Sequence, residues 1–191
     1  MRRRRVSRLP ALLVPLIALA ACTPQQDPDN SAASPVIRIP AAERQAAPDL
    51  GGTTLDGGRI RLSDYRGKVV VLNVWAAYCG PCRAEAPELS QAQRHLATKG
   101  VQVLGVDTDA ERSQGRAFAS DHHLAYPSLY DPGSRQLVHR TPPKYLGQAL
   151  PYTLFIDRNG KIAAQGLVGL TEADVRTITR PLLAEKADGT R

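Results

Sequence analysis

The strongest apolar signal in the chain is residues 68–75, Lys-Val-Val-Val-Leu-Asn-Val-Trp, a β-branched run broken once by Asn73. A run of this kind predicts a strand covered on both faces of a sheet. Residues 101–107 repeat the pattern and predict a second buried strand. Between them, residues 81–99 read as a helix stopped by Gly100. Residues 111–123 predict a second helix. Residues 152–156 and 161–168 predict two strands joined through Asp157-Arg158-Asn159-Gly160. Residues 171–186 predict a last helix, opening on Thr171-Glu172-Ala173-Asp174, a capping box with Asp in place of Glu. Pro181 is expected to kink or end its regular part. Upstream, residues 53–55 and 59–62 flank Asp56-Gly57-Gly58 and predict a hairpin. Residues 126–150 carry Pro127, Pro132, Pro142 and Pro143 and read as irregular. The order is hairpin, β, α, β, α, loop, β, β, α. It implies an α/β fold with a mixed central β-sheet flanked by helices and an added N-terminal β-hairpin.

The ends of the chain read differently. Residues 1–21 have the anatomy of an export signal: clustered arginines, then an apolar stretch at 9–21. That stretch is short of the ~20 residues that cross a bilayer as a helix, and Pro10 and Pro15 interrupt it. It ends in Leu19-Ala20-Ala21-Cys22, which resembles the bacterial lipobox, where cleavage precedes the cysteine and lipid joins its sulfur. Cys22 is then a lipidation site and the domain is anchored to a membrane. Residues 22–48 read as a flexible Pro-rich tether without apolar periodicity, reaching roughly 28 Å as a coil. The globular domain is expected over 49–187, with 188–191 a disordered tail.

Charge narrows the function. The net charge is +7, but Arg2, Arg3, Arg4, Arg5 and Arg8 lie in the first ten residues, and no acid precedes Asp27. Without those five arginines the excess falls to +2. No basic run remains to neutralise a phosphate backbone, so nucleic acid is not an expected partner.

The chemistry centres on Cys79-Gly80-Pro81-Cys82. Two cysteines at i and i+3 at the start of a helix lie on one face, close enough for a disulfide. The first sits where unpaired N–H groups and the helix dipole favour an anion, which activates Cys79 as a thiolate nucleophile. Pro81 falls in the first turn, where its missing N–H costs nothing. Cys82 is placed to resolve a mixed disulfide. Half of a zinc site would share this spacing, but zinc takes four ligands, the chain has no second such pair, and its four histidines lack zinc-finger spacing. The chain has three cysteines. With Cys22 lipidated, the other two pair with each other, as an oxidising compartment requires. No cofactor is needed beyond the redox disulfide, and no metal is expected.

The stretch from Gly67 to Pro87 (GKVVVLNVWAAYCGPCRAEAP) resembles the thioredoxin superfamily, and within it the TlpA/ResA-like membrane-tethered thiol–disulfide oxidoreductases. The Trp-Ala-x-x-Cys-x-x-Cys core carries the resemblance, and the Glu-x-Pro after it narrows it. The resemblance covers residues 48–186. It implies that Glu85 lies near the active site and assists proton transfer; read structurally, the same residue is a surface acid favoured by the helix dipole. Asn73 stands where cytosolic thioredoxins carry a buried Asp, and it cannot titrate. Pro151 matches the family's cis-proline, which faces the disulfide and leaves the Leu150 backbone free to pair with an extended substrate. Trp75 and Tyr78 are expected to flank the site, with plain core packing the rival reading for both.

Gly-Pro between the cysteines resembles reducing thioredoxins and favours a reductase. On the extracytoplasmic face of the cell membrane, such a reductase would need electrons from a membrane protein of the CcdA/DsbD type. The family implies protein thiol or disulfide substrates such as apocytochrome c. An oxidase or isomerase of secreted proteins stays open. A peroxidase would need Thr or Ser three residues before its reactive Cys, where this chain has Ala76. A Sco-like copper chaperone would need CxxxC spacing.

Overall fold

The computed structural model describes residues 36–187. The expected export signal, the expected lipidation site Cys22, the expected tether up to residue 35 and the expected 188–191 tail lie outside the described residues. In chain order the elements are β1 (Val36–Arg38), β2 (Gly51–Thr53), β3 (Arg59–Arg61), β4 (Val69–Trp75), α1 (Gly80–Leu96), β5 (Val101–Asp107), α2 (Arg112–Asp121), β6 (Ser128–Tyr130), α3 (Arg135–Arg140), β7 (Tyr152–Ile156), β8 (Ile162–Gly166) and α4 (Glu172–Ala184). Six strands form one sheet in the order β1-β8-β7-β4-β5-β6, and β2 pairs with β3 separately. β5 runs parallel to β4 and β7 antiparallel to it, so the sheet is mixed as the alternation of elements predicts.

The pleat of β4 sorts its side chains between two cores. Val69 and Val71 meet Leu89 and Leu96 of α1 and Val175, Ile178 and Leu182 of α4. Val70, Leu72 and Val74 face the other way, with Leu50, Leu137 of α3, Tyr145 and Tyr152. Cover on both faces is why the strand reads as a continuous apolar run. Each such side chain contributes roughly 1.5–3 kcal/mol on leaving water. A polar residue in that run, Asn73, therefore needs partners.

Several expectations need correction. Residues 36–48 are not tether. β1 pairs antiparallel with β8, with Val36 opposite Gly166, and the Ala47 N–H donates to Gly160 C=O at 2.9 Å. Arg44 then clamps Asp157 at 3.1 Å and Glu185 at 2.6 Å. A three-residue edge strand and a single arginine leave no hydropathy period, so composition alone cannot show them. The hairpin is shifted: Thr54 and Leu55 leave it, and Thr54 bridges to Leu129 of β6. Residues 126–150 are not merely irregular, since they contain β6 and α3. Pro181 does not end α4. It and Thr177, whose C=O it leaves unbonded, are both on the solvent face, where water can take that carbonyl.

The helix signals hold. Thr171 Oγ1 accepts the Asp174 N–H at 3.2 Å, while the Asp174 carboxylate accepts the Thr171 N–H at 2.9 Å. Gly100 adopts a left-handed φ of 91° as it closes the turn after α1, a conformation glycine takes without a Cβ penalty.

Candidate active site

The chain leaves the C-terminal end of β4 through Ala76, Ala77 and Tyr78 and enters α1 at Cys79. Cys79 is the residue that caps the helix, and its Sγ accepts the Cys82 N–H at 3.2 Å. Cys79 and Cys82 form a disulfide with Cα atoms 5.3 Å apart. The first sulfur thus occupies the positive end of a 17-residue helix, where a thiolate would be stabilised once the bond is broken. Pro81 sits in the first turn.

The two cysteines differ in access, and Cys79 alone of the two lines a cleft. Cys79 is 7% exposed and Cys82 is 3% exposed. A cleft of about 580 Å³ opens over Cys79, walled by Tyr78, Thr108, Val138, Leu146, Leu150 and Tyr152 among others, and among the described residues no charged side chain lines it. Tyr78 is 75% exposed and stands at its rim. The Leu150–Pro151 bond is cis, as the resemblance implies. Pro151 is buried, Leu150 lines the cleft, and the backbone N–H and C=O of Leu150 take no partner among the described residues.

Trp75 flanks the disulfide from the core side and does not line the cleft. It is 1% exposed and packs beside Cys79, Cys82 and Ala86, stacked on Phe118 with centroids 4.5 Å apart. The strand pleat turns residue 75 inward, so its role is to support the disulfide from below.

Glu85 is neither on the surface nor free. It is 3% exposed, and its carboxylate accepts the Asn73 side-chain N–H at 2.8 Å and the Leu170 N–H at 2.9 Å. Asn73 also donates to Thr153 Oγ1 at 3.0 Å. Burial pushes the Glu85 carboxyl up to about 7, and the two donated hydrogen bonds only partly oppose this. A carboxyl that titrates near neutrality, one turn from Cys82, can accept or return a proton.

Sequence reasoning missed two acids. Asp107 ends β5, level with Trp75 on β4, and Asp109 follows it. Both are buried, and the Asp109 carboxylate accepts the Ala77 N–H at 2.7 Å. The available signal was two acids at the end of an apolar strand adjoining the one that leads to the cysteines.

The AhpC/TSA family pattern matches residues 44–165. Thioredoxin-like protein YneN of Bacillus subtilis is 34% identical over 148 residues, 76% of this chain and 79% of that protein. Thiol-disulfide oxidoreductase ResA of Geobacillus thermodenitrificans is 32% identical over 130 residues, 68% of this chain and 72% of that protein. The chain belongs to the AhpC/TSA family, in its ResA-like branch. Among solved structures, a secreted thiol-disulfide isomerase from Corynebacterium glutamicum is similar, with 34% identity, a TM-score of 0.69, and coverage of 84% of this chain and 96% of that one. As a ResA-like member of the AhpC/TSA family, this chain is a thiol–disulfide oxidoreductase with a thioredoxin fold. The family match spans β2 to β8, and so contains the disulfide, Glu85 and the cis-proline turn.

Proposed function

We propose that this protein is a lipid-anchored, extracytoplasmic protein-disulfide reductase that works through Cys79 and Cys82. One observation carries the reading: the more accessible cysteine caps a helix and opens on an uncharged cleft beside an unpaired stretch of backbone at Leu150. That cleft suits an extended polypeptide, whose main chain can hydrogen-bond to Leu150 while its cysteine meets Cys79.

In the reduced protein, the Cys79 thiolate attacks one sulfur of a substrate disulfide. The substrate S–S bond breaks, and the leaving thiolate takes a proton. Cys82 then loses its proton to the Glu85 carboxylate and attacks the Cys79 sulfur, releasing the second substrate thiolate, which takes that proton. Two protein thiols become a disulfide and one substrate disulfide becomes two thiols. The redox carrier is the cysteine couple itself, with no added cofactor. Each turnover needs a fresh dithiol, which outside the cytoplasm points to a membrane donor of the CcdA/DsbD type. The resemblance favours apocytochrome c among substrates.

Three features support this placement: the export signal, the Cys22 lipobox, and the secreted nature of the C. glutamicum relative. The name of that relative also favours an isomerase reading for this chain. A peroxidase has less support, since Ala76 brings no hydroxyl to the position three residues before Cys79.

The midpoint potential of the cysteine couple separates reduction from oxidation. A value near about −270 mV fits a reductase, whereas about −120 mV fits an oxidant. Cys79→Ser should abolish disulfide exchange, and Cys82→Ser should accumulate mixed disulfides with substrate. Full turnover by the Cys79→Ser protein would overturn the assignment.

A further inference from the structure

The Ala77 residue, two before Cys79, is gripped on both sides. Its C=O accepts two hydrogen bonds from Arg83, at 2.8 and 3.2 Å. Its N–H donates to the Asp109 carboxylate at 2.7 Å. The two grips are unequal in character. Arg83 is exposed, so water screens its charge. Asp109 is 2% exposed and makes no ion pair among the described residues.

Asp109 is itself held by Asp107, whose Oδ1 accepts the Asp109 N–H at 3.1 Å. Asp107 is fully buried, and its Oδ2 has no hydrogen-bond partner within the normal distance. Among the described residues, no cation pairs with Asp107. α2 presents Gly115, where an added Cβ would lie 2.0 Å from Asp107 Oδ2, and Leu55 packs against the same glycine. On the neighbouring strands, β4 sets Trp75 and β6 sets Tyr130 level with Asp107. An unpaired carboxylate oxygen in such a place is expensive. The economical state puts a proton on Asp107, directed toward Asp109. Burial, and then the neighbouring Asp109, hold the Asp107 carboxyl well above the usual carboxylate range. Thr108, between the two acids, lines the same cleft as Cys79.

We propose that Asp109, held by Asp107, is a positioning residue for Cys79: it anchors the loop through the Ala77 amide and sets one poorly screened negative charge at the amide two residues before the reactive cysteine. This rests on the reading of Cys79 as the nucleophile. The helix end favours the Cys79 thiolate, and the buried acid pair opposes it. A less acidic Cys79 leaves the reduced couple with less stabilisation as thiolate, which lowers its potential. The acid pair therefore biases the protein toward donating electrons.

The test uses isosteric variants of the whole protein. Asp109→Asn keeps an oxygen for the Ala77 N–H and removes the charge. It should lower the pH at which Cys79 becomes alkylated by iodoacetamide by about half a unit, roughly three-fold more thiolate below that pH, and raise the midpoint potential. Asp107→Asn imitates protonated Asp107, keeping both an acceptor for the Asp109 N–H and a donor toward its carboxylate. Its Cys79 titration should match the parent. Asp109→Ala should show the same shift as Asp109→Asn, with a raised KM for protein substrate. An unchanged alkylation profile and potential in Asp109→Asn would overturn the inference while leaving the exchange activity in place. Loss of exchange in the parent protein would instead remove the functional reading, and the alkylation profile would still judge the acid pair.

Discussion

Asn73 donates its side-chain N–H to Glu85 across 2.8 Å, in an interior where the two residues are 2% and 3% exposed. The bond joins the central strand to the helix that carries the disulfide. It supplies part of the solvation that burial takes from the carboxylate. With Leu170 N–H on the other oxygen, Glu85 is fully partnered and still titrates near neutrality.

A pH dependence of stability follows. Glu85 moves from an ordinary value of 4.5 to about 7 in the folded protein. Between those values the native state holds a proton that the unfolded chain has lost. Stability therefore falls as pH rises through this window and levels off above it. Glu85 contributes at most roughly 3 kcal/mol of the fall. Urea unfolding of the oxidised protein at pH 5 and pH 8 should show a drop that Glu85→Gln reduces. Asp107 supplies a further part of the slope in the same direction. Identical pH slopes in parent and Glu85→Gln would sink the assignment.

Asn73→Asp should be a pH-conditional lesion. It sets a second carboxyl where the amide now donates to both Glu85 and Thr153. Two buried carboxylates at that separation cannot both ionise. At pH 8 the variant should lose about 2–4 kcal/mol, and at pH 5 much of it should return, since one acid can then donate to the other. Denaturation midpoints at the two pH values decide this. Equal loss at both would mean that shape, not charge, is what position 73 supplies.

The cleft over Cys79 should discriminate by size and charge of substrate. Val138 is 56% exposed on its wall and Tyr78 stands on its rim. Val138→Asp puts a charge into a lining that has none among the described residues, and should cut kcat/KM for a disulfide-bonded protein substrate about ten-fold. A small aromatic disulfide that touches only the sulfur should react at nearly the parent rate. Parallel assays of both substrates check this. Equal loss on both would place the damage at the cysteines rather than in the cleft.

Gly105 of β5 is a packing requirement. A Cβ there would lie 2.1 Å from Ser128 Oγ and 2.7 Å from Trp75 Nε1. Gly105→Ala should cost on the order of 1–3 kcal/mol by overpacking, seen as a lowered urea midpoint. Ser128→Gly in the same protein should recover part of it, because the nearest obstruction is removed. A double variant no more stable than the single one would point to Trp75 as the obstacle.

The architecture was legible where burial is two-sided and helical period is regular. Residues 68–75 and 101–107 announced β4 and β5, and Thr171 with Asp174 announced the start of α4. The cysteine pair was legible because its spacing, its proline and its strand-to-helix position all point to one chemistry. What escaped has a common cause. β1 rests on ladder hydrogen bonds that any sequence can make. α3 is six residues long, below the length at which an apolar stripe can be seen. The fate of Trp75 depended on which side of the pleat faced α2, a tertiary fact. Glu85 as a buried acid and Asp109 as a loop anchor are both set by partners far away in the chain, Leu170 and Ala77, and no local pattern encodes those meetings.

The strand at Val36–Arg38 has a practical meaning for anyone preparing this domain. Trimming the gene at Asp49, where composition suggests the fold begins, would strip the outer rung from β8. Its row of amides and carbonyls would then face solvent as a template for neighbouring molecules. Asp157 would lose its guanidinium in the same cut. The expected product of that shortcut is precipitate, and a start before Val36 avoids it.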